Sequence, residues 1–218
     1  MGLVLKRQIA VGDIHGCFDL LKALVGEIIS FSPDEDMLIF MGDYLDRGRK
    51  VEEVVSYLSA LKEKYPDSVI LLKGNHEDMA YNALTSGDSG ETMMPWLLNN
   101  GDMTILSFGS VQRAREHLVP FIESLQLYYE TDTHIFVHGG IPYGKDLVTA
   151  TPEELLWDRD LAYAGKKILV VGHTPKGTVS NYNRGKIISV DTGAYMTGVL
   201  SAYDVTNKKV YENSGSED

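Results

Sequence analysis

The chain has 218 residues, 44% apolar and 23% charged, enough to bury a sizeable core, and no apolar run approaches the ~18 residues needed to cross a bilayer. Its formal net charge is −11 and it carries no large Lys/Arg cluster, so neither nucleic acid nor an anionic membrane is an expected partner. Cys17 is the only cysteine, so no intrachain disulfide forms. The stretch Met1–Arg7 ends in its charges where a secretory leader would begin with them, and the expected location is the cytoplasm.

Apolar, β-rich runs predict strands at Gln8–Val11, Met37–Met41, Val69–Leu72, His134–Val137, Ile168–Val171 and Ile187–Val190. Helical spacing separates the first three. Leu20, Leu21, Leu24, Val25, Ile28 and Ile29 recur at that period, as do Val51, Val54, Val55, Leu58 and Leu61. Strands alternating with amphipathic helices predict an α/β fold with a parallel βαβαβ N-terminal half. Residues 77–126 are expected to be mainly helical, broken at Ser86–Gly90 and at Gly101. From about residue 166 onward, turns at Asn181–Gly185 and Thr206–Lys208 predict a more antiparallel C-terminal half. No linker, repeat or low-complexity tract divides residues 1–218, so a single domain is expected, with residues 83–124 as a helical segment placed to cap a cleft.

Five of the apolar runs stop at a motif that joins glycine to Asp, Asn or His. Val11 leads into Gly12-Asp13-Ile14-His15-Gly16, and Met41 into Gly42-Asp43-Tyr44-Leu45-Asp46-Arg47-Gly48. Lys73 leads into Gly74-Asn75-His76-Glu77, Val137 into His138-Gly139-Gly140, and Val171 into Gly172-His173-Thr174. Ligands bind at the carboxyl ends of strands in open α/β sheets, so the five motifs are expected to meet at one edge. They use four of the six histidines, leaving His117 and His134 with ordinary packing roles. Two Asp, one Asn and three or four His form an oxygen/nitrogen donor set without thiolate. That set suits Mn, Fe, Zn or Ni better than Ca, and it is large enough for two ions. Two ions ~3.5–4 Å apart clamp a phosphoryl group and acidify a water between them. Arg47 adds a fork-shaped donor matched to phosphate oxygens.

GDIHG, GDYLDRG, GNHE, HGG and GHT, in that order over residues 12–174, resemble the motifs of the metallophosphoesterases. More narrowly they resemble the PPP-type serine/threonine protein phosphatases in their short bacterial and phage form; Val190-Asp191-Thr192-Gly193-Ala194 is also similar to that group. The resemblance implies a calcineurin-like β-sandwich flanked by helices and a protein phosphatase activity that uses two divalent ions. Mn is the expected ion, and Fe, Zn or Ni are compatible. Asp13 and His15 would bind the first metal, Asp43 would bridge, and Asn75, His138 and His173 would bind the second. Arg47 and Arg159, the latter in Leu156-Trp157-Asp158-Arg159, would hold phosphate oxygens. His76 would be the general acid, oriented by Asp46. A water activated between the metals would attack phosphorus in line, without a phosphoenzyme.

The substrate implied is a phosphorylated protein or a small phosphoester. A symmetric dinucleoside tetraphosphate hydrolase is the alternative, although such relatives commonly lack the aspartate at the place of Asp46 and carry Asp at the place of Glu77. A non-catalytic phosphate-binding module would lack a ligand or the acid, and none is missing here. Several neighbours are expected to be structural. Glu77 suits the dipole of a helix start, Cys17 opens a helix, Thr174 and Pro175 shape a turn, Trp157 packs in the core, and Arg49 and Lys50 cover a solvated helix start. The oligomeric state is not legible.

Overall fold

A computed structural model describes residues 6–87 and 90–215; most of the Met1–Arg7 stretch and two residues of the Ser86–Gly90 break lie outside them. Each short apolar run forms a strand, and the strands assemble into two five-stranded sheets. The first is built from β1 (Arg7–Val11), β2 (Asp36–Phe40), β3 (Val69–Leu71), β9 (Val199–Asp204) and β10 (Lys209–Ser214), in the order β10-β9-β1-β2-β3. β1 pairs in parallel with β2, and β2 with β3, through the crossover helices α1 (Phe18–Ala23) and α2 (Val51–Lys64). α1 runs on into a π-helical turn at Leu24–Ile28. The β9–β10 hairpin closes the other edge antiparallel to β1.

The second sheet is built from β4 (Tyr128–Glu130), β5 (His134–Val137), β6 (Ile168–Val171), β7 (Ser180–Tyr182) and β8 (Ile187–Ser189), in the order β4-β5-β6-β8-β7. The antiparallel pairs β7–β8 and β9–β10 fall in the part of the chain where short strands and turns predict them. The centre of this sheet, β5-β6-β8, is nonetheless parallel. Turn chemistry marks the hairpins and is silent on the longer crossovers that join parallel neighbours.

Side-chain alternation stacks these layers. Ala10, Ile39 and Ile70 point from the first sheet, and Phe136, Val170 and Ile188 from the second, into one core between them. Ile9, Val11, Leu38 and Phe40 point the other way and are covered by helices. Ile135, Val137, Leu169 and Ile187 pack on the outer face of the second sheet with Leu155 of α7 (Pro152–Trp157). Residues 77–126 are helical as the sequence predicts: α3 (Asn75–Thr85), α4 (Gly90–Leu98), α5 (Gly101–Phe108) and α6 (Val111–Glu123). α5 begins at Gly101, and a further break falls at Gly109-Ser110, where Ser110 caps α6 by accepting the Arg113 N–H. Trp96, Phe108, Leu118 and Phe121 join these helices to the core of the first sheet. A short helix α8 (Ala194–Thr197) links β8 to β9. The architecture is mixed α/β, two mixed sheets flanked by helices.

Phe136 is fully buried between the sheets. Phe136→Ala should cost about 3–5 kcal/mol in urea unfolding through lost transfer energy and the cavity left behind. A cost below about 1 kcal/mol would show that the two sheets do not share this core.

Candidate metal centre

The carboxyl ends of β1, β2, β3, β5 and β6 converge, and the five sequence motifs meet there. The crowding is severe enough to dictate glycine. A Cβ on Gly74 would lie 2.2 Å from Asp43 Oδ1, and one on Gly172 would lie 2.4 Å from Asp13 Oδ1. His15, Asp43, Asp46, Arg47 and His173 all hold positive φ, between 46° and 68°. This conformation is strained for side-chain-bearing residues and clusters at functional sites.

Asp43 sits at the centre. Its Oδ2 lies 3.4 Å from His15 Nε2 and 3.9 Å from His76 Nε2, and its Oδ1 lies 3.3 Å from His138 Nε2. Burial works against ionisation, but His138 and His76 outweigh it and hold Asp43 well below the usual carboxylate range. Asn75 Oδ1 lies 2.9 Å from His138 Nε2. His15 Nδ1 donates to the Leu45 carbonyl at 2.7 Å and His138 Nδ1 to the Met41 carbonyl at 2.8 Å. Each bond fixes a tautomer and leaves Nε2 aimed inward, as backbone partners do for metal-ligating histidines.

Among the described residues, two groups bring ligand atoms within 4.8 Å of one another: His15, Asp43 and His76, and Asp43, His138 and His173. His76 stands in the first group where the sequence suggests Asp13. The Asp13 carboxylate turns instead to the His173 N–H, at 3.0 and 3.2 Å.

The donor set fits divalent metal on two observations. His173 Nε2 is buried and has no hydrogen-bond partner, an unsatisfied lone pair that a cation would complete. Burial, then the neighbouring His138, pushes the His173 pKa down to about 3, so that lone pair is free at neutral pH. Three buried carboxylates also crowd together. Burial, then Asp191 and Asp43, raise Asp13 well above its ordinary value, and burial, then Asp43, raise Asp191 to about 6. A bound cation removes that mutual repulsion.

His76 differs from the other histidines. Its Nδ1 bonds to the Asp46 carboxylate at 2.6 Å, and its Nε2 accepts from Arg47 at 3.0 Å. Burial opposes a charge on the ring, yet Asp43 and the Asp46 bond outweigh it and raise its pKa. Arg47 also donates to His15 Nε2 at 2.9 Å and stacks 4.6 Å over the Tyr195 ring. Arg159 is exposed and donates to Thr174 Oγ1 at 3.3 Å, beside His173. Trp157 is 39% exposed, so the expectation that it packs in the core is not met; its ring stands edge-on to His173 at 6.0 Å.

Five contributors escape the motif reading. Glu77 goes far beyond a helix start: its buried carboxylate accepts the N–H groups of Asp43, Tyr44, Leu45 and Gly74. Asp191 had a usable signal, since Val190-Asp191-Thr192-Gly193 is a sixth strand end with the same Asp/Gly pattern. Tyr195 follows it closely, and Trp96 and Thr104 reach Asp46 from distant helices.

A family model described as calcineurin-like phosphoesterase matches residues 6–202. This chain belongs to the calcineurin-like phosphoesterase family. Members are metal-dependent phosphoester hydrolases, and this phosphoesterase carries the residue groups to hold divalent metal. It is 30% identical over 205 residues to serine/threonine-protein phosphatase 1 of Salmonella typhimurium, covering 88% of each chain. It is 26% identical over 220 residues to the asymmetrical bis(5'-nucleosyl)-tetraphosphatase PrpE of Bacillus subtilis, again covering 88% of each. A solved structure assigned as a diadenosine tetraphosphatase shares the fold of this phosphoesterase with a TM-score of 0.74 at 17% identity, over 100% of this chain and 97% of that one. None of the described helices is long and apolar enough to cross a membrane.

Metal loading should displace protons from this centre. Asp13, Asp191, Glu77 (raised to about 7, chiefly by burial), His76 and His138 all have raised pKa values, so they retain protons at mildly acidic pH that a cation expels. Calorimetric titration of Mn in buffers of different ionisation heat should show on the order of one proton or more released per chain at about pH 6, declining toward about pH 8. Release that is absent at the lower pH, or that grows with pH, would contradict these assignments.

Proposed function

We propose that the phosphoesterase hydrolyses phosphoserine and phosphothreonine in proteins with two bound divalent ions, Mn being the expected metal. The observation that carries this reading is the buried His76–Asp46 pair at the edge of the Asp43 cluster. A serine or threonine alkoxide is a poor leaving group and must be protonated as the P–O bond breaks. A pyrophosphate-type leaving group departs without that help.

Asp13, His15, Asp43, Asn75, His138 and His173 are the proposed metal ligands, with Asp43 shared because its two oxygens face the two halves of the cluster. When bound, the ions supply charge neutralisation and an activated water for in-line attack. The remaining work falls to this chain's own side chains. His76 gives its Nε2 proton to the leaving oxygen, and Asp46 holds the ring and stabilises the imidazolium before transfer. Protonation at Nε2 removes the acceptor to which Arg47 donates, and the guanidinium is then free to turn its fork toward the phosphoryl oxygens. Arg159 is the proposed second donor to the same group, and its bond to Thr174, next to His173 in the chain, supports that reading.

Cleavage of a dinucleoside tetraphosphate is the second reading, and the similarity to a Bacillus subtilis protein named for that activity favours it. The intact pair of His76 and Asp46 weighs toward the phosphatase.

His76→Asn should slow hydrolysis of a phosphoserine peptide by ~10²–10⁴-fold and leave p-nitrophenyl phosphate, whose leaving group departs unaided, little changed. Asp46→Asn should show the same bias more weakly. Equal losses on both substrates with metal content intact would remove His76 as the acid. Faster wild-type turnover of diadenosine tetraphosphate than of either phosphopeptide would favour the second reading.

A further inference from the structure

The helical segment between the GNHE and HGG motifs reaches the site at Asp46 and, through the Asn100 carbonyl that accepts the Arg47 N–H, at the next residue. Asp46 is fully buried, and besides the bond from His76 its carboxylate accepts two donors from that segment. Trp96 Nε1, on α4, lies 3.0 Å from Oδ1 and 3.1 Å from Oδ2. Thr104 Oγ1, on α5, lies 2.6 Å from Oδ1, and the same hydroxyl accepts the Asp46 N–H at 2.9 Å. Accepting that N–H commits the hydroxyl proton to the carboxylate. Trp96 and Thr104 are themselves fully buried, so water cannot replace either donor. The packing is equally specific: a Cβ on Gly101, the first residue of α5, would lie 2.6 Å from the Trp96 indole.

We propose that Trp96 and Thr104 are positioning residues for proton transfer, fixing the Asp46 carboxylate so that its Oδ2 presents one lone pair to His76 Nδ1. This rests on the reading of His76 as general acid. Asp46 itself sits at φ 68°, in a loop whose backbone alone does not choose a carboxylate orientation. With both donors in place the carboxylate cannot rotate, and the imidazole it holds keeps Nε2 directed at the centre. The helices of residues 83–124 therefore complete the acid and are not a detachable cover over the cleft.

Trp96→Phe removes the indole N–H together with part of the ring, and Thr104→Val removes the hydroxyl that both donates to the Asp46 carboxylate and accepts its N–H. Each should slow phosphoserine peptide hydrolysis about 10-fold and leave p-nitrophenyl phosphate hydrolysis within about 2-fold. In a His76→Asn background neither should slow the peptide further, because the group they position is gone. A second readout does not depend on turnover. The chain has two tryptophans, and the buried Trp96 indole N–H should give a slowly exchanging NMR signal that moves on Asp46→Asn while that of the more exposed Trp157 does not. Equal slowing of both substrates by Trp96→Phe and Thr104→Val, or an unmoved indole signal, would overturn the proposal even if His76→Asn shows its bias. Absence of bias in His76→Asn would instead remove the acid, and this proposal with it. Should Trp96→Phe fail to fold, Thr104→Val and the indole signal decide the matter.

Discussion

The site depends on the buried carboxylate of Glu77. It accepts four backbone N–H groups, three from the Asp43–Leu45 turn and one from Gly74 at the start of α3. Hydrogen bonds to a charged acceptor are the strong class, and each donor here would otherwise be a buried orphan. One side chain thus fastens the loop after β2 to the loop after β3. Asp43, Asp46 and Arg47 take left-handed backbone conformations in or just beyond that turn, at a cost of about 1–3 kcal/mol each, and the bonds to Glu77 help hold that loop in place. The turn in turn aims Asp43 at the centre, and α3 delivers Asn75 and His76 from its first two positions. Because Gly74 must approach Asp43 so closely, no side chain is tolerated there.

Electrostatics follows from this confinement. Six or more polar side chains are withdrawn from water into a space shared by carboxylates and imidazoles. Asp43 pushes His138 and His76 toward their charged forms, whereas in His15 and His173 burial dominates and favours neutrality. The partner of Nδ1 makes a different division. It is a backbone carbonyl in His15 and His138, the proposed ligands, and a carboxylate in His76, the proposed proton carrier. Sequence position alone does not make that distinction, since His15 and His76 both follow an Asp or Asn near a glycine.

Much of the fold and of the site is legible before any coordinates, because the signals are local. Period-two patterns mark β1 and β5 to within a residue, the period-3.6 pattern finds the start of α2 and stops three residues short of its end, and a glycine beside Asp, Asn or His marks where each central strand delivers a polar side chain to the centre. What stays hidden depends on contacts across long stretches of chain. The bonds from Trp96 and Thr104 to Asp46 span 50 and 58 residues, and nothing around those helical positions marks them as anything but core. Tyr195 beneath Arg47 is hidden in the same way. Glu77 is legible as a helix-start acid, but its capture of the preceding loop appears only when β2 and β3 lie side by side. Trp157 misleads because a large apolar residue is ordinarily buried, while here it is partly exposed with its ring edge-on to His173.

The account stands on Asp43 lying between two cations. Anomalous scattering from crystals of the Mn-loaded protein tests this directly. Two Mn peaks per chain, one toward His15 and one toward Asn75, His138 and His173, with Asp43 between them, are predicted, and Asp43→Asn should weaken both. A single peak, or none, with all six side chains ordered in place would contradict it.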